Sequence, residues 1–436
     1  MPFHIVIAGD FAGANPERPP KAIEVDRDNL DAVLARVRPL IELPLAGADG
    51  KPLALRIGGM EEFHPDHLYR HLPVFEAIRA TVTDEPEAPP PPPPAPVVAP
   101  PKTGGGFLDD ILENTEERYS AAQPAPARND WDDTLRRIAT SNALPKQSPL
   151  RERREADARQ ASALLMRAIL HSPQFRIVEN AWRGLDFLVR RVETGSELRI
   201  FLLDVSRSQL PARLAKAGDD EWSVVLANYM FGAGEADISA LSNLANAAAG
   251  IGVPVIAAAN PLLLGCEDLD DLSDVREWRD LPPAARNAWT ALRKNSNAAW
   301  LGLALPRLLI RVPYGADSSP CEEFSFEEMD ETVASSDLSW ANPIFACAAM
   351  LGESWTDFGE PDAKHDLDGL LSYSWRESGV PRFQPVGETL LTDRAVEAIL
   401  EHGLIPLMSS KYGTEIRIPR FQSVADPPLP LEFPTE

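Results

Sequence analysis

"PQFRIVENAWRGLDFLVRRVETGSELRIFLLDVS", residues 173–206, holds the two periodicities from which the fold class is read. Phe175, Val178, Trp182, Leu185 and Val189 follow one another at spacings of 3, 4, 3 and 4, the helical repeat with one core-facing stripe. Pro173 breaks the helical stretch before it. "SELRIFLLDVS" is then apolar almost throughout, as a strand covered on both faces is. The alternation recurs downstream. "EWSVVLANYMFG" reads as a strand, and "DISALSNLANAAAGIGVPVIAAAN" as helix, glycine break and strand. "ARNAWTALRKNSNAAWLGLALPRLLIRV" continues it, and "AVEAILEHGLIPLMSS" adds a helix ended at His402-Gly403 and a further strand. Such a pattern predicts an α/β fold with a mixed central β-sheet flanked by helices.

Residues 1–80 read as a small α/β lobe of their own. "FHIVIAGDF" is a strand, and "VDRDNLDAVLARVRPLIEL" becomes a helix with Leu30, Val33, Leu34 and Val37 on one side, stopped by Pro39. "LPLAGADGKPLALRI" is a hairpin candidate turning at Asp49-Gly50, and "HPDHLYRHLPVFEAIRA" a last helical segment. About 80 residues bury little surface alone, so the lobe is expected to dock on the larger region and to supply a helix and strands that complete or flank its sheet. Residues 81–130 turn to proline, "EPEAPPPPPPAPVVAPPKTGGG", a stiff spacer followed by a short amphipathic helix over 107–120. The large α/β domain is expected over 131–425 and an extended proline-rich tail over 426–436.

The 436 residues include 66 acidic and 42 basic ones, a net charge of −24, which argues against nonspecific nucleic-acid binding. The best apolar run, "GVPVIAAANPLLLG", is interrupted by Pro254 and Asn260, so no membrane insertion is expected. "MPFHIVIAGDFAG" has no basic leader region, and the three scattered cysteines fit a reducing compartment; the expected location is cytoplasmic.

Motifs of chemistry are missing. GxGxxG and GxxxxGK[ST] do not occur, and Ser206 has no GxSxG elbow. His64, His67 and His71 share a helical spacing that reads as a solvated face rather than a zinc site. Cys321 stands beside Glu322 and Glu323, which disfavour a thiolate. "CEDLDDLSDVREW" lacks the ligand order of an EF-hand and reads as an acidic loop. No catalytic, cofactor-binding or metal-ligating residue is assigned.

Fixed charges inside apolar elements are the better signal. In "ALPRLLIRVPYG", residues 304–315, a strand would place Arg307, Leu309 and Arg311 on one face and Leu308, Ile310 and Val312 on the other. Three readings stay open: arginines meeting solvent, arginines paired structurally within or between subunits, and an anion clamp. Glu179 or Asp280 is a candidate acid partner. Glu179 and Arg183, four apart, are placed to pair along their helix. Trp289 and Trp300 read as core.

Residues 168–210 resemble the large subunit of the type VI secretion contractile sheath, through His171, Pro173, Phe175, Glu179, Trp182, Arg183, Gly184 and Leu185. Residues 289–315 resemble its second signature, through Trp289, Leu292, Arg293, Leu303, Pro306, Arg307, Arg311, Pro313, Tyr314 and Gly315, and Glu328, Trp340, Asn342 and Ala346 fit the stretches that follow. The first unit is similar to the small sheath subunit, through Asp26, Arg27, Asp28, Asn29 and Leu30, and again through Met60, Phe63, Pro65 and Pro73. The resemblance implies a fused small and large subunit with a mechanical role and no cofactor. It implies units that stack around an inner tube, with strands exchanged between neighbours. Its partners would be further copies, sheath, baseplate or inner-tube proteins, and a recycling unfoldase. Glu179, Trp182, Arg183, Trp289, Arg293, Arg307, Arg311, Tyr314, Trp340 and Asn342 would then serve packing and assembly. Two alternatives remain: a non-polymerising accessory or cap, and an enzyme with an arginine-lined anion pocket.

Overall fold

The computed structural model describes residues 2–19, 21–46, 52–83, 147–217, 221–329 and 335–434. The first three stretches contain β1 (Phe3–Gly9), β2 (Ile23–Val25), α1 (Leu30–Val37), β3 (Leu40–Ala46), β4 (Pro52–Arg56), α2 (Pro65–His71) and α3 (Pro73–Thr83). The chain continues with α4 (Gln147–Leu170), α5 (Pro173–Arg191), β5 (Leu198–Asp204), α6 (Leu210–Leu214), β6 (Val224–Phe231), α7 (Glu235–Ile251) and β7 (Val255–Ala259). Next come α8 (Pro283–Arg293), β8 (Leu301–Leu305), β9 (Leu308–Arg311), β10 (Ser339–Ala341), α9 (Ile344–Phe358) and β11 (Asp366–Leu367). Last are β12 (Tyr373–Glu377), β13 (Val380–Gln384), α10 (Asp393–Glu401), β14 (Ile405–Pro406), β15 (Met408–Ser409) and β16 (Ile416–Arg417).

Seven strands form the central sheet in the order β14-β8-β7-β6-β1-β5-β2. All neighbours in it run parallel except β2, an antiparallel edge, so the sheet is mixed as expected. Taken by appearance, the inner five run second, first, third, fourth, fifth, the order of a doubly wound sheet. Phe3, Ile5 and Ile7 of β1 enter one core with α5 and α9; Val6 and Ala8 enter the other with α6, α7 and α8. This is the two-residue alternation of a strand serving two covered faces.

β1 lies in the middle of that sheet. Phe3–Gly9 pair with Leu198–Asp204 on one side, and Ile5–Ala8 with Val224–Ala227 on the other. The lobe was expected to dock on the large domain with strands that complete or flank its sheet; its first strand does more than flank, being woven into the middle. The reason is in "FHIVIAG", buried at every position with no solvent-facing alternation. Such a strand needs helices on both faces, and residues 1–80 have too few to supply them.

The remainder of this region packs outside the sheet. α1 buries Leu30, Val33, Leu34 and Val37 and ends at Arg38 in the left-handed conformation. β3 and β4 form the expected hairpin. Further contacts bind α2 to the rest: Asp66 accepts the backbone N–H groups of Glu322 (2.9 Å) and Glu323 (3.0 Å), and Tyr69 stacks on Phe324 at 4.3 Å. Phe63, just before it, meets Phe175 edge-on at 5.8 Å.

α5 is the predicted helix. Ser172 caps it, accepting from Phe175 N at 3.2 Å, and the whole expected stripe is buried. The stretch 304–315 differs from its reading. β8 belongs to the large sheet, whereas β9 pairs with β10 and bridges Gly387, with Pro306 and Arg307 between β8 and β9. Arg307 thus lies in the connection between the strands and Arg311 at the end of β9, and Leu308, Leu309 and Ile310 are all buried. In the tail, Leu431 is buried and its N–H donates to Phe421 O at 3.1 Å. The turn at Asp49-Gly50, the proline spacer from residue 84 onward, the 107–120 helix and residues 131–146 lie outside the described residues.

Gly184 of α5 faces Phe345 of α9 so closely that an added methyl would sit 2.3 Å from its ring. Gly184→Ala should destabilise the protein by about 1–3 kcal/mol in chemical denaturation. Gly250→Ala in α7 meets no atom within 4 Å and should be neutral or stabilising by up to about 1 kcal/mol.

Candidate functional site

α5, β9 and the segment after it enclose a cluster of charges. Arg311 ends β9 with its side chain 6% exposed, and Glu179 and Glu328 meet it with 0% and 1%. Glu328 grips the guanidinium with both oxygens, at 2.7 and 2.9 Å, and also accepts the Tyr314 N–H at 2.8 Å. Arg311 also donates to Val312 O at 3.0 Å, and its carbon lies 4.4 Å above the centre of the Tyr314 ring. Arg311 Nε is 3.0 Å from Glu179 Oε1, close enough for an ion pair but not aligned as a hydrogen bond. Arg183 donates to that same oxygen at 2.8 Å and to the Tyr314 hydroxyl at 2.9 Å. His171 Nε2 stands 3.5 Å from Glu328, and the His64 ring meets Tyr314 edge-on at 4.9 Å.

The electrostatics follow from this geometry. Burial alone would lower the Arg311 pKa, but Glu179 and Glu328 outweigh it and hold it well above its ordinary value. Burial would raise Glu328; the Arg311 charge and hydrogen bonds outweigh that and keep its carboxyl well below the usual range. Burial pushes the Tyr314 hydroxyl up to about 12, so it stays protonated. Arg311, Glu328 and Tyr314 are thus each held in one charge state at neutral pH, which suits a brace.

Of the predicted residues, Glu179, Arg183, Arg311 and Tyr314 belong to this cluster. Arg307 does not. Its fork meets both oxygens of Glu388, with Nε donating at 2.7 Å, and its side chain is 36% exposed. The shared strand face is thus overturned, because the chain turns between β8 and β9. Asp280 is likewise no partner of either arginine; it lies 3.7 Å from Arg286. Trp182 donates its indole N–H to Phe11 O at 3.0 Å, holding the loop after β1. Trp289 packs in the core on the sheet's other face. Arg293 donates to the carbonyls of Val424 (3.0 Å), Glu401 and Ala425 (3.3 Å each), fastening the start of the tail. Trp340 lies in β10, where its carbonyl accepts from Asn180 at 3.2 Å. Asn342 accepts the Ile344 N–H at 3.1 Å at the start of α9.

A second knot at the strand ends was not expected. Asp204 Oδ1 accepts the N–H groups of Phe11 (2.8 Å) and Ala12 (3.1 Å) and an Arg18 N–H (2.9 Å), while Arg18 also reaches Asp10 at 2.9 Å. Burial raises the Asp204 carboxyl pKa, with Arg18 pulling against it. The sequence signal was the lone acid closing "RIFLLD".

Burial pushes the thiols of Cys266 and Cys321 each up to about 12 and raises Cys347 as well, so none is an activated nucleophile. Nearby carboxylates add to the Cys321 shift, but they are Asp66, Glu328 and Glu327 rather than its chain neighbours. Among the described residues, no group of three or more histidines, cysteines or carboxylates is placed to hold a metal ion. No helix among them is long and apolar enough to cross a membrane.

Comparison with known proteins adds three findings. The VipB family, described as EvpB/VC_A0108, tail sheath N-terminal domain, matches residues 159–223 and 214–425. The family described as type VI secretion system, VipA, VC_A0107 or Hcp2, matches residues 1–81. The chain is 28% identical over 274 residues to the type VI secretion system sheath protein TssC1 of Pseudomonas aeruginosa, covering 56% of this chain. It spans about half, 55%, of that relative's length.

Two outcomes are expected from the buried cluster. Arg311→Ala strands two enclosed carboxylates and should cost about 3–5 kcal/mol, whereas Arg307→Ala breaks a partly solvated pair and should cost about 1 kcal/mol. Urea titrations of both variants measure the difference. Glu328, held low in the folded state, contributes its full stabilisation above its ordinary pKa of 4.5 and loses it as pH falls further. From roughly pH 5 to pH 3 the melting temperature should therefore fall more steeply for the parent than for Glu328→Gln.

Proposed function

For a chain that belongs to the VipB tail-sheath family, we propose the role of a structural, non-enzymatic, single-chain sheath protomer. Its VipA-like and VipB-like stretches form one building block. The observation that carries this reading is the placement of β1. The strand from the VipA-like stretch is hydrogen-bonded on both edges to strands of the VipB-like stretch. Two parts that share a sheet in this way move as one body, which a load-bearing unit requires. Joining them in one chain sets their ratio at one to one and raises their effective concentration for each other.

The buried charges fit the same reading. Arg311, Glu179, Glu328 and Arg183 pair with one another and so brace α5 against β9. On this reading the partners are further copies of the chain, baseplate and inner-tube proteins, with an unfoldase as a candidate recycler, all in the cytoplasm.

The test is incorporation. The purified full chain, tagged, is mixed with inner-tube and sheath components of a type VI system, and the tubes are imaged by negative-stain microscopy. The tag should appear along the tube walls at regular axial intervals. Labelling confined to one tube end would replace the protomer by a cap, and its absence from the tubes would overturn a sheath role altogether.

A further inference from the structure

β12 and β13 form a ribbon that pairs with no other strand of the described residues. It is a well-made ribbon. Glu377 and Val380 close it across Ser378 (φ 49°) and Gly379 (φ 81°), the two left-handed positions of a tight hairpin turn. Its base is anchored, with Tyr373 packing against the Leu309, Leu338 and Trp340 cluster and Gln384 donating to Gly387 O at 3.0 Å. Beyond that base it faces water. Leu371 is 43% exposed, Val380 53% and Tyr412 74%, and the Tyr412 ring meets Phe383 of β13 at 5.8 Å. Leu371 joins the same corner because the Leu370 N–H donates to Thr414 O at 2.7 Å.

Exposed apolar side chains, aromatic contacts and unpaired ribbon edges coincide here, as they do at surfaces made to be covered. Lone two-stranded ribbons are also marginal in water, so cover would stabilise this one. Charge says what covers it. Residues 371–384 and 409–420 carry Arg376, Arg382, Lys411, Arg417 and Arg420 against Glu377 and Glu415, in a chain whose net charge is −24. A basic, aromatic ribbon fits an acidic partner, and a second copy of this chain carries a net charge of −24.

We propose that the β12–β13 ribbon, with Tyr412, is a docking surface for a second copy of the same chain, seated against that copy's acidic surface. The proposal deepens the sheath-type reading and rests on it for the premise that copies meet. Sedimentation velocity of the full chain across protein and salt concentrations provides the test, with a Val380→Asp/Tyr412→Asp variant and an Arg376→Glu/Lys411→Glu variant. The parent should self-associate, less strongly as salt rises. Each variant should need about tenfold more protein for the same degree of association, with unchanged thermal melting because the altered side chains are exposed. A parent that stays monomeric throughout, or variants that associate as the parent does, would overturn the proposal. A monomeric parent that still enters mixed tubes would remove the ribbon contact and leave the sheath role standing. Association through the ribbon without entry into tubes would do the reverse.

Discussion

The parallel pairing of β1 with β5 and β6 is the constraint on which the rest of the molecule depends. Seven residues near the start of the chain occupy the centre of a sheet whose other inner strands come from residues 198–305. Drawing them out would separate β5 from β6 and open both cores, since Ile5 and Ile7 serve one and Val6 and Ala8 the other. The loop after β1 is held by its own ties, through Asp204 to the Phe11 and Ala12 amides and through Trp182 to the Phe11 carbonyl. α5, which carries Trp182, is thereby positioned against the N-terminal stretch before it meets β9.

The buried charges take up the problem at that point. Apolar packing lets a helix slide or rotate at modest cost, whereas a two-pronged contact such as Arg311 to Glu328 is satisfied in one orientation. Ions taken out of water do not add much net stability, and a well-packed apolar replacement often does as well. What they add here is direction. Glu179 of α5, Arg311 of β9 and Glu328 of the following segment align only when all three elements are in register. His64 and Tyr314 bring the N-terminal region against the same point. A unit that transmits force gains from such alignment, because a loose joint would absorb the displacement it is meant to pass on.

Much of this was legible from local pattern. The stripe from Phe175 to Val189 fixed α5 and its buried face, and "SELRIFLLDVS" and "GVPVIAAAN" announced covered strands. The Glu179–Arg183 pair followed from spacing alone, and Glu179 was rightly named as an acid for Arg311, though not for Arg307. The misreadings were non-local. Nothing near Phe3–Gly9 tells which strands flank it, so a strand of the sheet's centre was read only as one that completes or flanks the sheet. Arg307 and Arg311 looked equivalent because residues 307–312 were read as one continuous strand, whereas β9 begins only at Leu308. Glu388 and Asp204 lie 81 and 186 residues from the arginines they bind, beyond any periodicity. The ribbon at 373–384 was also overlooked, although "ESGV" carries the small and glycine residues its turn requires.

Hydrogen–deuterium exchange of the intact chain tests the shared sheet most directly. If β1 is its central strand, the amides of residues 4–9 open only with the whole fold and exchange as slowly as those of β5 and β6, with one common dependence on denaturant. Amides in β1 that exchange well ahead of β5 and β6, at denaturant concentrations where those strands stay protected, would show a separable N-terminal part and contradict the single-block account.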